Sequence, residues 1–122
     1  MSKFFLFFPL FLYSLTFPYT VELKKDETIS FEVTYLKNIY PFNLRWTLFK
    51  NDVLTVLYRY DNFPRQITLY KNYPLNAFKV PIAKIPDNYP YFYIVFKDFN
   101  GKIATFDIYL KNGKKVVVKV NE

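Results

Sequence analysis

Residues 91–110 read Tyr91-Phe92-Tyr93-Ile94-Val95-Phe96-Lys97-Asp98-Phe99-Asn100-Gly101-Lys102-Ile103-Ala104-Thr105-Phe106-Asp107-Ile108-Tyr109-Leu110. Asn100-Gly101 divides two strand-like runs. Asn and Gly accept the positive φ of tight hairpin turns, so this dipeptide between apolar runs is a strong hairpin signal. Tyr91 to Phe96 is apolar at every position, which predicts a central strand. Ala104, Phe106, Ile108 and Leu110 alternate with Thr105, Asp107 and Tyr109, the pattern of a half-buried strand. Asn112-Gly113 repeats the turn signal. The last third therefore predicts a three-stranded meander over about 90–99, 102–111 and 114–120. Gly101 and Gly113 are the only 2 glycines of the chain.

The same period extends towards the N-terminus. Ile29, Phe31, Val33 and Tyr35 alternate with Ser30, Glu32 and Thr34. Leu44, Trp46 and Leu48 alternate with Arg45 and Thr47, and Val53 to Tyr60 follows Asn51-Asp52. Ile67 and Leu69 flank Thr68. Phe78, Val80 and Ile82 form a short run in which Pro81 points to a sheet edge. Loops are predicted at 38–41, 61–64, 71–74 and 86–90. No stretch sustains helical spacing, and the 8 prolines recur at intervals that break helices. The fold class is all-β, an antiparallel sandwich of about seven to nine strands. The runner-up is an OB-type barrel, which would bring single-stranded nucleic-acid binding with it; the sandwich carries no such implication, and no nucleic acid is expected as a partner.

Residues 85–95, Ile85-Pro86-Asp87-Asn88-Tyr89-Pro90-Tyr91-Phe92-Tyr93-Ile94-Val95, resemble the E–F corner of immunoglobulin-like and fibronectin type III-like sandwiches. Ile85 precedes Tyr91 by the spacing of the corner motif. Tyr93 falls where immunoglobulin domains carry their second Cys, and Asp87 where many carry Asp. Trp46 is similar to the strand C Trp, and residues 96–106 are similar to the F–G hairpin of bacterial extracellular members. The likeness covers about residues 20–110. It implies an immunoglobulin-like topology in which Trp46, Tyr91 and Tyr93 are structural, with the Tyr91 hydroxyl bonded to backbone near 85–88. Both Cys are missing, and residues 116–120 look like an extra strand.

The N-terminus has a different character. Lys3 leads an uncharged run from Phe4 to Val21, and Glu22 is the first acid. A positive start followed by an apolar core is the form of an export signal. Ser14 and Thr16 are the only small residues spaced as a cleavage pair. The expectation is a signal peptide over 1–18 and one domain over 19–122, placed in the periplasm or outside the cell. An uncleaved anchor, tethering the protein to a membrane through residues 4–21, and a buried first strand are the alternatives. The domain has 0 Cys, so no disulfide staples it, and its 15 Phe and 12 Tyr must supply the packing.

Inventory limits the chemistry. There is no His and no Cys, which removes the usual nucleophile–base pairs and most zinc and copper sites. Ser occurs only at 2, 14 and 30, and two glycines cannot form a phosphate loop or a nucleophile elbow. Asp61, Asp87, Asp98 and Asp107 read as turn or surface residues. No catalytic residue, metal site or cofactor is expected, and the chain is read as non-enzymatic.

What remains is surface. The formal charge is +7. Arg45, Arg59 and Arg65 are the only arginines; the other basic residues are lysines spread along the chain, suited to solvated strand edges or to an anionic partner. Tyr58, Arg59, Tyr60, Tyr70 and Tyr73 form the candidate binding surface, since Tyr and Arg combine apolar area with a polar tip. Three functions are carried forward: an exported interaction module for a protein or anionic envelope polymer, a structural subunit of a surface filament or envelope complex built by strand pairing, and a small carbohydrate-binding domain.

Overall fold

In the computed structural model, which describes residues 15–83 and 88–120, nine strands form two antiparallel sheets. They are β1 (Tyr19–Lys24), β2 (Ile29–Tyr35), β3 (Asn38–Lys50), β4 (Val53–Tyr60), β5 (Phe63–Tyr70), β6 (Ala77–Pro81), β7 (Tyr91–Phe99), β8 (Ile103–Lys111) and β9 (Val116–Val120). The five-stranded sheet has the order β9-β2-β3-β4-β5, and the four-stranded sheet the order β1-β8-β7-β6. The expected all-β sandwich is present. β7 is an inner strand and β6, with Pro81, an edge, as their sequences predict.

Strand order departs from two finer expectations. Residues 114–120 do not extend the β7–β8 hairpin. β9 crosses to the other sheet and pairs with β2, Val118 opposite Val33. In the immunoglobulin arrangement, consecutive strands B and C lie on opposite sheets. Here β2 to β5 run as one meander in a single sheet, and β6 to β8 as a second. Ile85 and Asp87 of the expected corner lie outside the described residues.

Turn chemistry explains the five-stranded meander. Its three hairpins have two-residue loops: Leu36-Lys37, Asn51-Asp52 and Asp61-Asn62. All six residues have positive φ, the condition of type I′ turns, whose twist matches that of the strands. The expected loop at 38–41 is therefore strand, because the chain reverses at Leu36-Lys37. Pro41 is tolerated inside β3 because its carbonyl accepts from the amide of Asp61 at 2.9 Å. Its missing N–H thus falls beside the β4–β5 turn, beyond the last paired residue of β4.

The two glycines serve different ends. Gly101 has φ of 100° and open space around it. The side chain of Asn100 accepts from the amides of Lys102 and Ile103 at 3.0 and 2.8 Å, an Asx-type closure of the β7–β8 turn. At Gly113 a Cβ would overlap the Leu110 side chain. That glycine permits a close approach where the chain leaves for the other sheet, and the positive φ belongs to Asn112.

The core is aromatic. Phe31, Phe42, Phe92, Phe96 and Phe106 are fully buried, with Phe31 stacked on Phe42 at 5.8 Å and Phe42 against Phe92 at 5.3 Å. Such pairs add about 0.5–1.5 kcal/mol each beyond area burial. Two bulges shape one end of the sandwich. Register shifts between Trp46 and Leu48 in β3, and between Phe96 and Asp98 in β7. Each inserts a residue, so Trp46 and Phe49 both face inward, as do Phe96 and Phe99. Leu48, expected to continue the inward alternation, is exposed for this reason.

Trp46 is buried. Its Nε1 donates to the carbonyl oxygen of Leu23 in the other sheet at 2.7 Å. Before β1, Leu15 and Phe17 pack against the core, and the Leu15 amide donates to the carbonyl of Val118 at 2.9 Å. Packing thus reaches back past residue 19 to Leu15. No helix among the described residues is long and apolar enough to cross a membrane.

Candidate binding faces

The side-chain phase of β7 decides where the tyrosines lie. Phe92, Ile94 and Phe96 are buried while Tyr91, Tyr93 and Val95 are half-buried. Tyr91 and Tyr93, expected to be structural residues of the corner, lie on the phase alternate to the interior set. Both rings stand on the outer face of the four-stranded sheet. The strand is apolar on both faces because that outer face is tyrosine-rich, a case that lack of alternation alone cannot separate from full burial.

Cross-strand register assembles this face. Lys79 of β6 lies opposite Tyr93 of β7, which lies opposite Tyr109 of β8. In the next row, Pro81, Tyr91 and Lys111 follow one another. Tyr93 and Tyr109 are 6.3 Å apart between centroids. Lys79 Nζ sits 5.0 Å from the Tyr91 ring centre and Lys111 Nζ 5.3 Å from that of Tyr109. These residues, with Tyr73 and Asn76, line a shallow depression of about 390 Å³. In the row beyond Tyr109, Asp107 accepts from the Thr20 hydroxyl at 2.6 Å and from Lys97 Nζ at 3.3 Å. That carboxylate is already engaged, so it leaves the charge of Lys79 and Lys111 uncompensated. Asn76 Oδ1 is buried with no hydrogen-bond partner.

The residues singled out as a binding surface are dispersed. Tyr58 and Tyr60 share the inward phase of Leu54 and Val56 and pack on the core. Tyr58 stacks on Phe78 of the opposite sheet at 5.3 Å. The Tyr60 hydroxyl donates to the carbonyl of Ile82 at 2.9 Å. Burial pushes both hydroxyls above their ordinary value, with nearby Arg65 partly opposing this at Tyr58, and Tyr40 and Asp61 adding to it at Tyr60. They tie the two sheets together. Arg59 faces outward on the five-stranded sheet, and Tyr70 is exposed on β5. Only Tyr73 of the set borders the tyrosine-lysine face. Tyr91, Tyr93, Tyr109, Lys79 and Lys111 were missed as a group because their adjacency depends on the β6-β7-β8 register, although the period-2 spacing of Tyr91, Tyr93 and Val95 was visible.

Among the described residues no cluster of three His, Cys, Asp or Glu could hold a metal ion. No family model, curated protein or solved structure matches this chain.

Proposed function

We propose that this protein is an exported, non-catalytic binding module whose tyrosine-lysine face takes an anionic glycan of the cell envelope. The observation that carries the reading is the pairing of Tyr93 with Tyr109 between Lys79 and Lys111 on one sheet face. Tyrosine rings offer flat apolar area with a hydrogen-bonding tip, which suits the C–H face of a sugar ring. The two ammonium groups supply charge complementary to carboxylate or phosphate substituents. The depression is open rather than enclosed, which suits a polymer lying across the face better than a buried small substrate.

The filament reading has weaker support. The β9 edge is partly occupied by the Leu15 backbone, and the β6 edge ends on Pro81; both devices oppose strand addition. The immunoglobulin-like likeness is not needed for the proposal, which rests on the face alone.

Binding to immobilised polygalacturonate, against a neutral glucan, tests the reading. Retention on the acidic polymer is expected, with loss of at least about tenfold in affinity for Tyr93→Ala/Tyr109→Ala. Equal retention of the double variant, once shown to melt like the parent, would overturn it.

A further inference from the structure

The other sheet carries a second site of different chemistry. Its outer face holds a groove of about 480 Å³ bordered by Thr28, Asn43, Arg45, Arg59, Arg65 and Gln66. Arg45, Arg59 and Arg65 are all the arginines this protein has, and they come from three neighbouring strands, β3, β4 and β5. Register places Asn43 opposite Arg59, and Arg45 opposite Leu57, which in turn faces Gln66. Arg45 and Arg59 are thus diagonal neighbours, with Leu57 between them as an apolar floor. Arg65 lies opposite Tyr58, on the inward pleat of the edge strand β5, and borders the groove only from that edge, so Arg45 and Arg59 are the two arginines on the outer face itself.

The charge here is not spent internally. Among the described residues the ion pairs are Lys71–Asp52 and Lys97–Asp107, and neither involves an arginine. All three arginines are exposed. Arg45 and Arg59, both on the outward phase of neighbouring strands, set two planar, multi-donor cations side by side on this face. Guanidinium differs from ammonium in presenting paired N–H groups that match two oxygens at once. A carboxylate offers two oxygens in one plane. A tetrahedral phosphate offers oxygens in several directions, the better match for donors arriving from three strands, with the Asn43 and Gln66 amides and the Thr28 hydroxyl beside them.

We propose that the arginine groove binds the phosphate groups of a polyol- or sugar-phosphate chain. The groove is larger than a single phosphate needs, leaving room for the polyol or sugar on the Leu57 floor. It lies on the opposite sheet from the tyrosine-lysine face, so the two sites are independent and one molecule can hold two envelope polymers at once.

Calorimetric titration of the full chain at fixed ionic strength, with glycerol 3-phosphate, inorganic phosphate and acetate as probes, tests the assignment. Both phosphates should bind saturably and acetate should not. Arg45→Gln and Arg59→Gln should each weaken binding about tenfold, as expected for loss of a charge-assisted hydrogen bond. Guanidinium proton signals of the parent, shifted by glycerol 3-phosphate and not by acetate, would give the same answer without a variant. Acetate binding as tightly as phosphate, or unaltered phosphate binding by an Arg45→Gln/Arg59→Gln/Arg65→Gln variant with parental melting, would overturn the proposal. Two further arms separate the sources of phosphate. Arginine-dependent binding of poly(glycerol phosphate) supports a soluble polymer, and co-sedimentation with phosphatidylglycerol vesicles in its place moves the phosphate to a lipid headgroup. Arginine-dependent preference for a single-stranded oligonucleotide over poly(glycerol phosphate) would overturn the choice of polymer. Because the Tyr93→Ala/Tyr109→Ala variant keeps all three arginines, failure of the glycan reading and failure of this one are told apart.

Discussion

The rings of Phe49 and Phe99 stack across the two sheets with centroids 4.1 Å apart and planes 27° from parallel. Neither would face inward without a bulge in its strand. The edge of the Trp46 ring system meets Phe99 at 5.4 Å, so one end of the sandwich is sealed by three aromatic residues drawn from β3 and β7. Phe99→Leu should lower unfolding free energy by about 1–2 kcal/mol, part from area and part from the lost ring pair. In a double-mutant cycle with Phe49→Leu, measured by denaturant unfolding, a coupling of about 0.5–1.5 kcal/mol is expected. Strict additivity would show that the stacking adds nothing beyond burial.

The two sheets are also tied by polar bonds that cross the core boundary. Trp46→Phe removes the donor to the Leu23 carbonyl and leaves that acceptor unpaired in a buried setting. The expected cost is about 2 kcal/mol, the hydrogen bond and the lost volume together. A shift in the denaturation midpoint at constant slope reads it out.

Tyr60 makes the corresponding tie at Ile82, and it is titratable. Its hydroxyl is held above the ordinary value of 10.0 by burial first, then by Tyr40 and Asp61. Below about pH 10 the folded and unfolded chains both keep this proton, and the tie contributes fully. As pH rises further the unfolded chain loses the proton first, so ionisation favours unfolding and stability falls. Tyr60→Phe should cost about 1 kcal/mol at neutral pH and make the decline between about pH 10 and pH 11.5 shallower. An identical slope in parent and variant would remove Tyr60 from the alkaline transition.

Gly113→Ala should destabilise because the new methyl group meets Leu110, by about 1–3 kcal/mol. The overlap is with a side chain and not with backbone, so Leu110→Ala should recover part of that loss in the double variant. Gly101→Ala has no such neighbour; its cost, about 1 kcal/mol, comes from the positive φ, and no side-chain deletion should relieve it. Thermal unfolding of the four variants distinguishes the two mechanisms.

Which parts of this architecture were legible follows from what a local pattern encodes. Ile29 to Tyr35 and Ala104 to Leu110 alternate cleanly, and their inward sets are as read. Sheet partnership was not legible: Asn112-Gly113 looks like a hairpin, yet the chain departs to the other sheet, a choice made by the free edge of β2. Nor were the bulges, since an inserted Thr47 or Lys97 changes the phase without a Gly or Pro to mark it. The tyrosine-lysine face and the arginine groove exist only once β6-β7-β8 and β3-β4-β5 are in register, so spacing along the chain could offer single Tyr and Arg residues but not their grouping.

Leu36-Lys37 is the least favourable local choice in the fold. Both residues sit at positive φ, 51° and 68°, where a side chain crowds the following carbonyl at a cost of about 1–2 kcal/mol per residue. The other two hairpins of the sheet meet the same demand with Asn and Asp, whose short polar side chains tolerate it. Leu36 is 57% exposed, so its side chain returns little burial for the strain. Leu36→Asn/Lys37→Gly should therefore stabilise the protein by about 1 kcal/mol or more. The direction separates this turn from a merely tolerated one: a neutral or destabilising result, measured by denaturant unfolding, would mean that the Leu36 side chain has a contact worth as much as the strain. Because the turn sits at the start of β3, well along the strand from Arg45, and on the opposite sheet from the tyrosine-lysine face, the same substitution should leave phosphate and glycan binding unchanged.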